Sequence, residues 1–237
     1  MSHICIIPSK GKSTRLARKN LLKLGDHSLL AYSIQKAKKC NIFSHICVST
    51  EDEDIATEAK KYGAEVPFIR PAHLSEDPAT IMDVINHALS SYEEDKELTT
   101  ITVLLPTTPF VVIDDIVNAH EVFYSNNSEA LLGVTKCEFP PFNSWVIDDK
   151  NILMPCFPES PYKFTQSTSC PDTYRSNGAI LILDISKLKE LGHYKDLKIT
   201  PYVMDSDRSL DIDTEFEYKF AKFIFDNNAK QMEKELF

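Results

Sequence analysis

With 237 residues, 43% of them hydrophobic, the chain has the length and apolar content for one α/β domain with a buried core and at most a small appended lobe. A formal charge of −9 argues against a nucleic-acid binder, and no apolar run approaches the roughly 18 residues of a membrane span. The first residues lack a signal peptide's apolar segment and the six cysteines form no CxxC pair, so the expectation is a cytoplasmic protein with reduced, mostly buried thiols.

The first apolar run, His3–Ile7, reads as a strand that enters Pro8 and the loop SKGKSTRLARKN. Gly11-Lys12-Ser13-Thr14 matches the end of a phosphate-binding P-loop, but that loop needs a glycine where Ile6 stands, so the P-loop reading fails. What remains is charge: Lys10, Lys12, Arg15, Arg18 and Lys19 precede the first acid, Asp26. A cationic cluster after the first strand of an acidic α/β protein marks a local anion site, at the end of the sheet where such folds bind ligands. The alternative is a solvated basic loop.

Further on, apolar runs alternate with helical patterns, the signature of βαβ units and a mostly parallel sheet. Strands are expected at His45–Ser49, Glu65–Ile69, Ile101–Leu105 and Ala130–Val134, with helices at Leu29–Lys39, Ile81–Tyr92 and Ile113–Phe123. Another helix starts after Thr50, which forms a capping box with Glu53, and closes at Gly63. No GxGxxG follows a strand, which excludes the usual dinucleotide-binding fingerprint. The segment 137–173 carries prolines at 140, 141, 155, 158, 161 and 171, so it reads as an irregular β insertion, a lid or dimer contact, with short aromatic strands around Trp145 and Phe164. Regular structure returns with a strand at Gly178–Leu183, a short helix near Leu188, a strand at Ile199–Met204 and a helix from Thr214 to about Asn227, followed by a charged tail.

Near the end stands Arg208-Ser209-Leu210-Asp211-Ile212-Asp213-Thr214. Residues two apart in extended chain share a side, so Asp211 and Asp213 can converge as hard oxygen ligands for Mg²⁺. The alternative is a helix cap beside a solvated aspartate. Taken with the cationic loop, the pair fits nucleotidyl transfer, in which charge is neutralised on an α-phosphate and on departing pyrophosphate. Asp-x-Asp also marks nucleotide-sugar glycosyltransferases, so that class stays open at this point.

The order of these pieces resembles the acylneuraminate cytidylyltransferase family, which makes CMP-sialic acid and related CMP-nonulosonates. The likeness is carried by IIPSKGKSTRLARKN, VSTEDEDIATEAKKYGAEVPFIRPAHLSEDPAT, LLPTTPF, YRSNGAILI and RSLDIDTEFE. The resemblance implies a doubly wound, nucleotidyltransferase-like α/β domain over 1–237, with 137–173 as a small dimerisation lobe. It implies CTP, a sugar acid and Mg²⁺ as partners, and a homodimer. It assigns catalytic roles to Lys19, Asp211 and Asp213, the last two as metal ligands; from the basic loop itself, Arg15 joins them as a group that neutralises the phosphates. CTP contacts fall on Pro8, Ser9, Lys10, Gly11, Asn20, Arg70, Ala79 and Thr80, and acceptor contacts on Arg175 and Asn177; Leu105 and Phe142 are read from the residues themselves as apolar lining of the acceptor pocket, the alternative for Phe142 being lobe core.

The chain departs from the family pattern in places. Lys10 stands for the usual loop arginine, Thr14 for a lysine and Leu105 for the glutamine of L-L-Q-P-T-S-P. Val111 replaces the arginine after that motif, and Ser167-Thr168, or Thr165-Gln166, stands where the family has Arg-Gln. The CTP half is kept and the acceptor half rewritten. Polar contacts worth about 1–3 kcal/mol each are lost there. The expected acceptor is a nonulosonate other than ordinary sialic acid, such as a legionaminic-type sugar; a non-catalytic CTP-binding relative is the remaining alternative.

Overall fold

In a computed structural model, residues 2–159, 163–164 and 170–228 are described. The expected residues Thr165–Gln166 and Ser167–Thr168, and the charged tail after Asn228, lie outside them, as does most of the segment expected as a strand around Phe164.

Six strands form the main sheet among the described residues: β1 (Ser2–Pro8), β4 (His45–Ser49), β5 (Leu98–Val103), β6 (Ala130–Lys136), β9 (Tyr174–Asp184) and β10 (Ile199–Val203). Their order is β10-β6-β9-β5-β1-β4. β1 pairs in parallel with β4 and β5, β10 with β6, and β9 alone runs antiparallel to its neighbours. The short strands β2 (Lys23–Leu24) and β3 (His27–Ser28) form a separate pair.

Ile4–Ile7 of β1 are wholly buried, as a central parallel strand covered on both faces requires. Cys5 and Ile7 pack under α1 (Leu29–Cys40), α2 (Glu53–Lys61) and α4 (Ile113–Ser125). Ile4 and Ile6 pack on the other face, under α3 (Ile81–Ser90) and α5 (Ile185–Leu191). The alternation along one strand thus builds two cores and a doubly wound domain. A third core, with Tyr32, Phe110, Ile212 and Phe225, seats the last helix α6 (Glu215–Asn227) beside the sheet end.

Two expectations are corrected. Glu65–Ile69 forms no strand: Glu65 makes a single parallel bridge to Cys47, and Pro67, which has no N–H to give, stops the ladder. The cap of α2 is Asp52, whose Oδ1 accepts the N–H groups of Asp54 and Ile55 at 3.0 Å; Thr50 acts one step earlier, accepting Asp52 N–H at 3.1 Å. True capping boxes occur at Thr80–Asp83 and Thr214–Glu217. Within 137–173, β7 (Trp145–Ile147) and β8 (Leu153–Pro155) form an antiparallel hairpin whose apolar residues, Trp145, Ile147 and Leu153 among them, face solvent.

Candidate active site

β1 is where the chain reverses its winding: α1 carries it to β4 on one side and α3 returns it to β5 on the other. A cleft of about 240 Å³ opens at the carboxyl ends of β1 and β5, where open α/β sheets bind ligands. Pro8, Lys10, Lys19 and Asn20 form one wall, the segment from Arg70 to Val84 a second, and Leu105–Thr107 the floor.

The cationic loop is held from three directions. Asn20, buried, donates to the Lys10 carbonyl at 3.0 Å. Gly11 N–H donates to Glu51 Oε1 at 2.7 Å, and Arg18 turns away from the cleft to Asp54 at 2.8 Å. A Cβ on Gly11 would lie 2.4 Å from Asp52 Oδ2, so only glycine lets the loop approach α2 this closely. Lys19, which lines the cleft, donates from Nζ to Asp213 Oδ1, and Arg15 donates to Asp213 Oδ2, each at 2.7 Å; Arg15, Asp211 and Asp213 stand beside the cleft lining rather than in it. Four of the expected residues, Lys19, Arg15, Asp213 and the adjacent Asp211, are thereby brought together from opposite ends of the sequence.

The two aspartates sit in unlike surroundings. Burial pushes the Asp211 carboxyl above its ordinary value, with the Thr107 hydroxyl opposing and Asp213 adding to the rise. Its Oδ1 is buried and has no hydrogen-bond partner. Burial also works upward on Asp213, but Lys19 and Arg15 hold its carboxyl below the usual range. Environments that separate two neighbouring carboxylates in this way divide their tasks. An unpartnered buried carboxylate oxygen fits a cation ligand. Among the described residues no group of three or more His, Cys, Asp or Glu could hold a metal, so a cation here would complete its shell with phosphate and water oxygens, as Mg²⁺ does.

The pair is set in place from below. Ile212 N–H donates to the Thr107 carbonyl at 2.8 Å, and Glu217 Oε2 accepts Asp213 N–H at 2.9 Å. Ser209, just before the pair, is bound by Asn177 Nδ2 at 3.0 Å, and Arg208 by buried Asp115 at 3.1 Å. Asn177 is therefore a buried brace behind the Asp211 segment. Gly178, at φ +69°, leaves room beside it: a Cβ there would come within 3.2 Å of Asp211 Oδ2 and 3.3 Å of Leu105 Cδ1.

Arg70 is 3% exposed and lines the cleft, with its NH2 committed to Glu51 Oε2 at 2.9 Å and its Nε to Ser75 at 3.0 Å. Ala79 lines the same wall, and Thr80 does so while capping α3. Ser9 is wholly buried, its hydroxyl without a protein partner. Arg175 is exposed on β9 and lies outside the cleft lining. Phe142 lies outside the cleft lining, its ring 4.8 Å from Phe164 and 5.6 Å from Phe157 in a cluster of partly exposed aromatics.

Sequence reading missed Glu51 and Thr107. Glu51 lies just before the cap of α2, in an acidic run that reads as helix-dipole compensation; its single side chain instead joins Gly11, Arg70 and Ser75. Thr107 lies inside LLPTTPF, a segment singled out as a motif with no role given to this residue.

A profile described as Cytidylyltransferase matches residues 4–222. The chain is 30% identical to pseudaminic acid cytidylyltransferase of Campylobacter jejuni, over 96% of this chain and 98% of that protein. It is 32% identical to CMP-N,N'-diacetyllegionaminic acid synthase of the same species, over 93% of this chain and 94% of that protein. Among solved structures, CMP:2-keto-3-deoxy-manno-octonic acid synthetase complexed with CTP superposes with a TM-score of 0.69 at 12% identity, covering 96% of this chain and 100% of that one, a likeness of fold. Nearly the whole length is matched in each case, which sets the glycosyltransferase reading aside: the chain belongs to the cytidylyltransferase family.

Proposed function

We propose that this protein transfers the cytidylyl group of CTP to a hydroxyl of a nonulosonate sugar acid of the pseudaminic or legionaminic kind, releasing pyrophosphate. The observation that carries the reading is the meeting of Lys19 and Arg15 with Asp213, Lys19 being at the same time a wall residue of the cleft that Lys10 lines. The acceptor oxygen attacks the α-phosphorus, the bond to pyrophosphate breaks, and the hydroxyl proton is released; no covalent protein intermediate forms.

Lys10, Lys19 and Arg15 neutralise the triphosphate, whose charge shifts onto pyrophosphate in the transition state. The cytosine end lies along the loop after β1 and the wall at Ala79–Thr80. Asp211 and Asp213 would hold Mg²⁺, which when bound polarises the phosphates. For Asp213 this means sharing its oxygens with Lys19 and Arg15, both of which carry charge that phosphate oxygens also attract.

Leu105, beside Asp211 at the open face of Gly178, supports an acceptor with an apolar group at that point. An acceptor that needed a carboxamide partner there would leave a polar group unpaired, which costs about 1–3 kcal/mol. The solvent-facing apolar hairpin β7–β8 supports a homodimer formed through the 137–173 lobe. The acidic net charge agrees with an enzyme that binds no nucleic acid, and leaves the local cationic loop to attract the anionic substrates.

Pyrophosphate release with CTP and Mg²⁺ over a panel of pseudaminic, legionaminic and sialic acids tests the reading, with Asp213→Asn as control. Turnover of a diamino nonulosonate and loss of it in the variant are expected. Silence across the panel, with CTP still bound, contradicts it.

A further inference from the structure

Lys36 lies on α1, 2% exposed, with its ammonium donating to the carbonyl of Pro109. A lysine taken wholly out of water is costly unless its charge is met, and the site does little to meet it. Burial draws its pKa down to about 7, against the opposing pull of Asp115 on α4 and of Cys40 on its own helix. The Tyr32 ring centroid lies 5.8 Å from the ammonium. Methionine or leucine would fill such a place at less cost, so the contact made by the ammonium needs an account.

That contact is with the loop joining β5 to α4. One turn earlier on α1, Ser33 donates to the Leu105 carbonyl at 3.4 Å, so residues three apart on one helix face hold both ends of the 105–109 segment. Between those ends, Leu105, Pro106 and Thr107 form the floor of the cleft, and the Thr107 carbonyl accepts Ile212 N–H at 2.8 Å. Ile212 stands between the two site aspartates. A continuous run of contacts therefore leads from Lys36 through Pro109 and Thr107 to the Asp211–Asp213 segment.

We propose that Lys36 is a positioning residue of cytidylyl transfer, which anchors the 105–109 floor from beneath and so fixes Asp211 and Asp213 against the triphosphate. The assignment rests on the function proposed above for its kinetic consequence, and on geometry alone for its structural one. Lys36 touches no substrate; it acts through the floor.

Two readouts on Lys36→Met and Lys36→Gln test it. Methionine is unbranched, only one atom shorter, and removes the donor, whereas glutamine keeps a donor without charge. Amide hydrogen exchange needs no substrate: in Lys36→Met the Ile212 amide is expected to exchange at least about tenfold faster than in the parent, while the Ile101 amide in β5 keeps its rate. Lys36→Met is also expected to melt at or above the parent's temperature at pH 7, because a desolvated ammonium is gone, yet to lose about tenfold in kcat with KM for CTP little changed. Lys36→Gln recovers most of both losses. Unchanged protection at Ile212 overturns the inference whatever the substrate is, and so does a Lys36→Met enzyme of parental kcat. A parent inactive on every nonulosonate, with Ile212 deprotected in Lys36→Met, would overturn the proposed function and leave the positioning role standing.

Discussion

Lys19 and Asp213 lie 194 positions apart in sequence and 2.7 Å apart in space. The contact joins the loop after the first strand to the turn before the last helix, so the ends of the chain close one site. Only 14% of the Lys19 side chain is exposed, which puts this pair in a medium where charge interacts more strongly than at an open surface.

Asp211→Asn separates catalysis from stability. The amide keeps the shape but removes a buried carboxylate whose Oδ1 has no partner. Cytidylyl transfer should fall by about 10²–10³-fold, the cost of losing one group that stabilises transition-state charge. Denaturant unfolding should show stability unchanged or higher by about 1 kcal/mol, as expected where a site strained for function is relaxed. A variant that is both active and less stable would contradict the role given to Asp211.

Glu51 makes a prediction about pH. Burial acts upward on its pKa, but hydrogen bonds from Ser75, Gly11 and Arg70 bring the carboxyl below its ordinary 4.5. A carboxyl depressed in the folded state contributes stability that is fully present above the unfolded value and is lost as pH falls through the folded one. Glu51→Gln should therefore cost about 1–3 kcal/mol at pH 7, and the gap between variant and parent should narrow as pH falls below 4.5. Unfolding curves for both proteins across pH 3–7 check this; a gap independent of pH would count against it.

Gly11→Ala places a methyl 2.4 Å from Asp52 Oδ2 and 2.7 Å from Asp52 Cβ. Asp52 caps α2 and cannot yield freely, so the loop must move. A penalty of about 1–3 kcal/mol is expected from such overpacking. It should appear as a rise of about tenfold or more in KM for CTP, with KM for the sugar acid less affected.

Leu105→Gln tests the acceptor wall. Introducing a carboxamide beside Asp211 and Gly178 should lower kcat/KM for a diamino nonulosonate by about 10–100-fold while leaving the KM for CTP within about threefold, since an apolar contact is worth about 1–3 kcal/mol in discrimination. Parallel assays with sialic acid would show whether the ratio moves toward the polar acceptor. An unchanged ratio would mean that Leu105 does not face the sugar.

Much of the fold was legible because buried parallel strands and capped helices leave strong local marks. β1 and β4 stand in the sequence as continuous apolar runs, and α1 and α6 within a residue of their expected starts. The antiparallel course of β9 left no mark, because alternation along a strand carries no direction. Nor did the division of labour around the site. A basic residue in a loop looks the same whether it turns outward to Asp54, as Arg18 does, or inward to Asp213, as Lys19 does. Asn177 was expected at the acceptor and instead braces Ser209, a contact across 32 residues that no spacing rule predicts. Lys36 sits on an otherwise ordinary helix, and only the packing of the β5–α4 loop over α1 reveals it.

The most direct test of the central claim, that the cationic loop and the acidic pair act on one triphosphate, is a double-mutant cycle on kcat/KM for CTP with Lys19→Met, Asp211→Asn and the double variant. Groups that act as a unit are non-additive, so the double variant should lose much less than the sum of the two single losses, with a coupling of about 1 kcal/mol or more. Additivity to within about 0.5 kcal/mol would mean that the two ends of the chain work independently, and the account of the site would fail.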